Sequence, residues 1–494
     1  MADRYILMER PTNTRSFEAV NLLATLPVVN GGGGAFHDIG GLGVNVHIID
    51  NVSPSGPRLA TIADSDVAAL NSSRSPIVAV KEAFLPRLER LNSQPALLEG
   101  DALPMDRREV VFTVRDSTSD RPLKGVTVVA YWDVSQKAGA KGVTSADGTV
   151  RLFVKQLRIE QLLLLPEGTY WSRSLTNVSF SEAFTIQLDP ITLPYSDALH
   201  FYYGNSSFNE KLGVRVGVLD TGCGPHTSLN LISGRNTVTG EDPGAFDDWH
   251  FHGTHVAGIV GARRTSPDSI SGMAPAVQIV PYRIFGLGQD SASNYSILKA
   301  LVFAAETRCD VVNLSVGGGA EDDVVKEAIR DARENGMLVV LAAGNDSRAP
   351  VRYPAAYPDA VAVSAMGRLG TFPSSACESL QVLFPPKATL PQEFIAAASN
   401  IGTQIAFTAP GVGIVSTLPG DRFGAETGTS MAAPVVTGWA ACALSQNEAI
   451  FSSPRDRARS DAILKLLQLG AIKQGFGAEY EGFGMPEPYS GNIA

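Results

Sequence analysis

Beyond about residue 195, short runs rich in branched apolar side chains alternate with helical stretches. No other feature limits the fold so strongly. The runs are Val214-Arg-Val-Gly-Val-Leu219, Ile279-Val-Pro-Tyr-Arg283, Asp310-Val-Val-Asn-Leu314 and Met337-Leu-Val-Val-Leu341, with helical patterns over 254–260, 293–307 and 322–335. Strands that lack a polar face are buried on both sides, which calls for a parallel sheet covered by helices on each face. Ligands of such sheets sit at the carboxyl ends of the strands.

The first half of the chain reads differently. Over 1–95, Tyr5 to Met8 is a strand, Phe17 to Leu26 a helix, Gly43 to Ile49 and Arg58 to Ile62 strands, Asp64 to Leu70 a helix and Ile77 to Val80 a last strand, with the Gly31 to Gly34 run breaking the pattern. That βαββαβ order predicts a ferredoxin-like α+β unit. Over 105–192, four short strands (Val110–Val114, Val126–Ala130, Val150–Val154 and Phe184–Leu188) follow one another without an amphipathic helix, which predicts a small β-sandwich. Its phrases Pro122-Leu-Lys-Gly-Val-Thr-Val and Thr144-Ser-Ala-Asp-Gly-Thr-Val150 resemble the transthyretin-like sandwiches appended to some extracellular proteases.

Several function classes are excluded early. The 494 residues carry 40 basic against 50 acidic side chains, a net charge of -10 without a Lys/Arg block, so the footprint of a nucleic-acid binder is missing. No apolar run approaches the ~20 residues of a membrane span. The first ten residues show no signal-peptide h-region, so a cytoplasmic location is expected, with secretion by another route as the alternative. Cys223, Cys309, Cys377 and Cys442 lie far apart without C-x-x-C spacing, the pattern of buried thiols rather than a disulfide framework.

Three segments carry chemistry. Asp220-Thr-Gly222 ends a buried strand, Phe251-His-Gly-Thr-His255 opens a helix, and Gly428-Thr-Ser-Met-Ala-Ala-Pro434 opens another. A serine nucleophile needs an imidazole to take its proton, and the imidazole needs a carboxylate to hold its tautomer. Ser430 at a helix N-terminus also faces the positive end of the dipole, and Pro434 is expected in the first turn, where a missing N–H costs nothing. Each segment has a bland reading alone: a strand-ending turn or half of a pepsin-like dyad, a metal-binding His pair, a helix cap. No second Asp-Thr-Gly or Asp-Ser-Gly completes a dyad, and no Glu follows His252 as in a zinc helix. The order Asp, His, Ser also excludes the serine-elbow hydrolases, which run Ser, Asp, His.

On these motifs residues 195–494 resemble the subtilisin-like serine proteases. The resemblance implies Asp220 as the orienting carboxylate, His252 as general base and acid, Ser430 as nucleophile and His255 as a buried structural histidine. Leu341-Ala-Ala-Gly-Asn345 is similar to the family segment whose Asn amide binds the oxyanion, so Asn345 takes that role beside the Ser430 N–H. Ser315, Val316 and Gly317 resemble the strand edge that pairs with substrate, and Ala342, Ala343 and Gly344 would wall the S1 pocket with them. Arg352, just before the similar Tyr353-Pro354, would select acidic P1 side chains if it pointed inward, and would leave an apolar pocket if it faced solvent.

The implied reaction is peptide hydrolysis through an acyl-enzyme on Ser430, with protein or peptide as substrate. The family likeness makes 1–95 a propeptide that acts as intramolecular inhibitor, cleaved within 86–104, or else retained as a binding module. No cofactor is expected. The stretch 262–271 lacks the family's calcium loop and carries two arginines, so no metal ligand is assigned. Cys377 to Ala397 reads as a surface insertion, and Cys223 as an inert buried thiol. The alternatives are a peptide transamidase or macrocyclase on the same triad, in which an amine replaces water, and a non-catalytic scaffold.

Overall fold

The computed structural model describes residues 3–10, 17–26, 37–39, 44–72, 75–88, 108–155, 158–179, 183–193, 195–204, 213–266, 269–275, 277–383 and 390–487. Its main sheet has eight strands. Seven follow the order Arg235–Asn236, Gln278–Arg283, Arg215–Asp220, Val311–Leu314, Leu338–Ala342, Val361–Arg368 and Glu393–Ile395. Ile405–Pro410 also pairs with Val361–Arg368. All pairings are parallel except that of Glu393–Ile395.

The apolar runs are continuous because alternate residues serve two cores. Leu338, Val340 and Ala342 face the helices His252–Gly261 and Thr429–Ser445, while Val339 and Leu341 face Asn294–Glu306 and Asp323–Glu334. A strand alternating polar and apolar residues could not sit in the middle of such a sandwich, since it would bury unpaired polar groups on one face.

The N-terminal residues form a second, antiparallel sheet in the order His37–Asp38, Asn45–Asn51, Arg58–Ile62, Arg4–Glu9, Ile77–Lys81. Period-two alternation again splits the strand. Tyr5 and Leu7 pack with Ala19, Leu23 and Leu70 from the unit's own helices, whereas Ile6 and Met8 join the core containing Tyr295, Leu298 and Val325. The glycine run lies outside the described residues. Arg58, 2% exposed, donates to the carbonyls of Leu23, Ser53, Pro54 and Gly56 beneath this sheet.

Residues 108–188 form two sheets, Thr149–Val154/Arg108–Asp116/Ala183–Leu188 and Arg173–Ser179/Arg158–Leu165/Thr127–Asp133/Ala138–Val143. Phe112, Val128, Leu162 and Leu164 fill the space between them. The intervening residues Val129, Tyr131, Leu163 and Leu165 face outward and are covered by Cys377 and Leu380. The described parts of the 377–397 stretch, 377–383 and 390–397, are therefore not a surface insertion. Cys377–Gln381 forms a 3-10 turn under the outer sheet face, and Phe394 and Ile395 are buried at the edge of the main sheet. Its small apolar set answers a partner surface that is distant in sequence.

Candidate active site

Asp220 is the last residue of a central strand and is buried together with His252, the first residue of its helix. Nδ1 of His252 and Oδ1 of Asp220 are 2.7 Å apart. This closeness depends on Gly253: a Cβ there would lie 2.0 Å from the Gly222 carbonyl oxygen and 2.9 Å from Asp220 Cβ. Burial works against the imidazolium, but the Asp220 charge and hydrogen bond outweigh it, and the His252 pKa lies above the usual histidine value. The nearby Arg87 charge opposes the rise.

Ser430 lies at the start of Thr429–Ser445. This helix packs against His252–Gly261. Near the first turn, His255 Nε2 is 3.1 Å from the carbonyl of Gly424, in the approach to Ser430. Two turns further on, a Cβ at Gly438 would lie 2.8 Å from the Val260 carbonyl. Ser430 Oγ is buried and makes no hydrogen bond, which leaves its proton uncommitted in this arrangement.

Pro434 does not fall in the first turn as expected. It is the sixth residue of the helix, and the N–H it lacks would have bonded the Ser430 carbonyl. The helix begins at Thr429, earlier than an N-terminal proline would place it, because Thr429 is anchored from outside.

That anchor is Asn345, whose Oδ1 accepts from both the N–H and the hydroxyl of Thr429 at 3.0 Å. Nδ2 of the same amide lies 3.0 Å from where a Cβ at Gly428 would be, and Oδ1 3.5 Å. The Thr429 hydroxyl lies 3.2 Å from the N–H of Gly344, which donates to it. The Ser430 N–H, in the first turn, has no partner within its own helix.

Ser315 is buried, accepting from Asn313 Nδ2 at 3.0 Å, and Ala342 and Ala343 are buried beside it. Residues 84–88 of the N-terminal unit lie along this edge. Phe84–Pro86 pairs antiparallel with Ser291–Ser293, and Arg87 bridges Val316 antiparallel. The Arg87 N–H donates to the Asp290 carbonyl at 2.8 Å and the Gly317 N–H to the Pro86 carbonyl at 3.4 Å. Leu88 packs on the core cluster containing Ala342, its Cδ2 3.0 Å from where a Gly317 Cβ would be. Arg352 is half exposed and ion-paired with Asp346 at 3.3 Å.

His255 is fully buried, with Nε2 3.0 Å from the Ile414 carbonyl as well, and burial pushes its pKa down to about 4. Burial likewise pushes the Cys223 thiol well above its ordinary pKa. Among the described residues no group of three or more His, Cys, Asp or Glu is placed to hold a metal ion.

Sequence reading missed Asp248. Its Oδ1 accepts from the N–H groups of His250 (2.9 Å) and Phe251 (2.8 Å) and from the Thr221 hydroxyl (2.9 Å). Its Oδ2 accepts from the N–H (2.8 Å) and hydroxyl (2.6 Å) of Thr254. These bonds hold Phe251, the residue before His252, at φ 124°, a conformation that non-glycine residues rarely adopt. An acidic residue four positions before His252 was the available signal, since carboxylates favour helix starts.

A site of this form, at the carboxyl edge of a doubly covered parallel sheet, is that of an α/β serine hydrolase. Residues 211–476 match the Peptidase_S8 model of the subtilase family. The chain belongs to that family and is a subtilisin-like serine endopeptidase. It is 35% identical over 267 residues to the Major intracellular serine protease of Bacillus subtilis (strain 168), covering 52% of this chain and 75% of that protein. It is 34% identical to Subtilisin Savinase of Lederbergia lenta (48% of this chain, 77% of that one). It is also 33% identical to the Minor extracellular protease Epr of Bacillus subtilis (45% of this chain, 30% of that one). As a protease it acts on protein substrates, and among the described residues no helix is long and apolar enough to cross a membrane.

Proposed function

We propose that this protease is made as an autoinhibited zymogen whose N-terminal ferredoxin-like unit, residues 1–95, acts as its own propeptide. The observation that carries this reading is the strand 84–87, inserted between Ser291–Ser293 and Val316–Gly317 in the manner of an added substrate strand. Leu88 then takes the S1 pocket walled by Ser315–Gly317 and Ala342–Gly344, and the bond after Leu88, within the 86–104 stretch, is the one cut. The pocket is apolar, with the Arg352 charge engaged by Asp346.

In the mechanism we assign, Ser430 Oγ attacks the substrate carbonyl while His252 Nε2 takes its proton. Asp220 holds Nδ1–H and stabilises the imidazolium. The oxyanion is bound by Asn345 Nδ2 and the Ser430 N–H. His252 returns the proton to the leaving amine, and water, activated by the same imidazole, hydrolyses the acyl-enzyme. The transthyretin-like sandwich, 105–192, remains on the mature peptidase unit, 195–494, because Cys377 and Leu380 cover its outer face. We place the enzyme in the cytoplasm. Free thiols at Cys223, Cys309 and Cys377 support a reducing compartment, although the relatives' names include both intracellular and extracellular proteases.

Intact-mass analysis of the wild-type chain beside Ser430→Ala, sampled over hours, tests this. Wild type should shorten to a chain beginning after Leu88 while the variant stays whole. Equal shortening of both would sink self-processing.

A further inference from the structure

We infer that the substrate cleft carries an acidic S2 subsite, formed by Asp290 and the ring of His250, that selects arginine immediately before the P1 residue. This rests on the proteolytic reading above, in which Leu88 occupies S1 and Arg87 is therefore the P2 residue.

Arg87 is held by both its backbone and its side chain. Its N–H donates to the Asp290 carbonyl at 2.8 Å, and its Nη2 reaches Asp290 Oδ1 at 2.7 Å. Nη1 lies against the His250 ring, 2.6 Å from Nδ1. One residue thus fixes the strand register and reads the side chain at that register. A guanidinium suits this arrangement, because its flat plane can bond Asp290 at one edge while lying over the His250 ring, whereas a Lys ammonium offers a single point of charge.

The His250 side of the subsite is held by contacts that do not involve Arg87. His250 stacks on Phe251, with ring centroids 4.2 Å apart and planes 24° apart, and its N–H is bonded to Asp248. Pre-positioned groups lose less entropy on binding. The exposures are unequal as well: the Arg87 side chain is 15% exposed and that of Asp290 82%. An empty cleft therefore leaves no buried unpaired charge, whereas a bound arginine is largely desolvated by the protein. That asymmetry also limits the gain, since a water-facing carboxylate contributes modestly to an ion pair.

Position links the subsite to catalysis. The Arg87 charge lies close enough to His252 to disfavour its protonation. A P2 arginine accordingly biases the imidazole towards the neutral form needed to accept the Ser430 proton. After cleavage, a released propeptide would end in Leu85-Pro-Arg-Leu88 and remain a product held in the same subsites.

The test uses the full-length preparation after its activity has become steady, with active sites counted by a serine-directed phosphonate. Leu-Pro-Arg-Leu and Leu-Pro-Ala-Leu 4-nitroanilides are compared by kcat/KM. Wild type should favour the arginine peptide by about three- to tenfold, as expected for one charge-assisted pair with a solvent-facing partner. Asp290→Ala should bring the ratio close to one, and Asp290→Glu should restore part of it. A wild-type ratio near one, or an Asp290→Ala ratio equal to wild type, overturns the subsite while phosphonate labelling of Ser430 leaves the protease standing. Absence of both labelling and cleavage overturns the proteolytic reading and the subsite with it.

Discussion

Replacing Asp248 by alanine should show how far His252, the proposed general base, depends on a residue outside the proposed triad. The carboxylate is 9% exposed and accepts from His250, Phe251 and Thr254 N–H groups and from the Thr221 and Thr254 hydroxyls. Alanine strands these donors in a largely buried site. Loss of an acidic cap alone costs about 0.5–2 kcal/mol, and each hydrogen bond to a charged group contributes about 1.5–3 kcal/mol. The contributions do not add fully. Once its N–H is released, Phe251 can relax from φ 124°, returning about 1–3 kcal/mol of strain. The expected loss is about 3–4 kcal/mol of stability, at the upper end for a single substitution. Urea denaturation in the Ser430→Ala background reads it without digestion of unfolded chains. In the active background kcat should fall at least ~10-fold, because the relaxed turn moves His252 away from its attack geometry. A stability loss under ~1 kcal/mol with kcat unchanged within ~2-fold would refute the argument.

Further outcomes follow from the same geometry. In the proposed mechanism His252 accepts a proton only when neutral, and Asp220 raises its pKa, so kcat/KM should fall on acidification with a midpoint above about 6.5. Asp220→Asn should move that limb to lower pH and reduce kcat about 10⁴-fold, and an unmoved limb would contradict the role of Asp220. The sign for stability is the reverse. A raised folded-state pKa stabilises the fold below the unfolded value, and that contribution is lost as pH rises through the folded value. Asn345→Ala should lower kcat by about 10²–10³ with KM little changed, a magnitude established for subtilisin-type oxyanion donors rather than worked from this geometry; the assay is steady-state hydrolysis of a peptide anilide. A kcat within ~3-fold of wild type would remove Asn345 from the oxyanion site.

Sequence reading went furthest where one local pattern had one physical solution. The continuous apolar runs at 214–219, 279–283, 310–314 and 337–341 admit few arrangements other than a doubly covered sheet. It was weaker where a residue type has two uses. Pro434 is compatible with a first turn or with a helix interior, and only the Thr429–Asn345 anchor moves the helix start upstream of it. Cys377 to Ala397 has too little apolar periodicity to indicate burial, and its cover is a sheet face some two hundred residues earlier in the chain. Asp248 resembles any surface carboxylate until Phe251 and Thr254 turn their N–H groups towards it.

Pattern and side-chain chemistry were enough for the parallel sheet of the peptidase and for the candidate Asp, His and Ser at its edge. These rest on periodicity and on chemistry that only particular side chains can perform. How the distant segments meet could be learned only from the folded chain. The 84–88 strand seats against Ser291–Ser293 and Val316, Arg87 finds Asp290 and His250, and the sandwich closes over Cys377. Those contacts join residues 163 or more positions apart through backbone and side-chain hydrogen bonds and buried surface. Neither leaves a periodic mark on the chain, because any strand edge can pair and any small apolar patch can be covered.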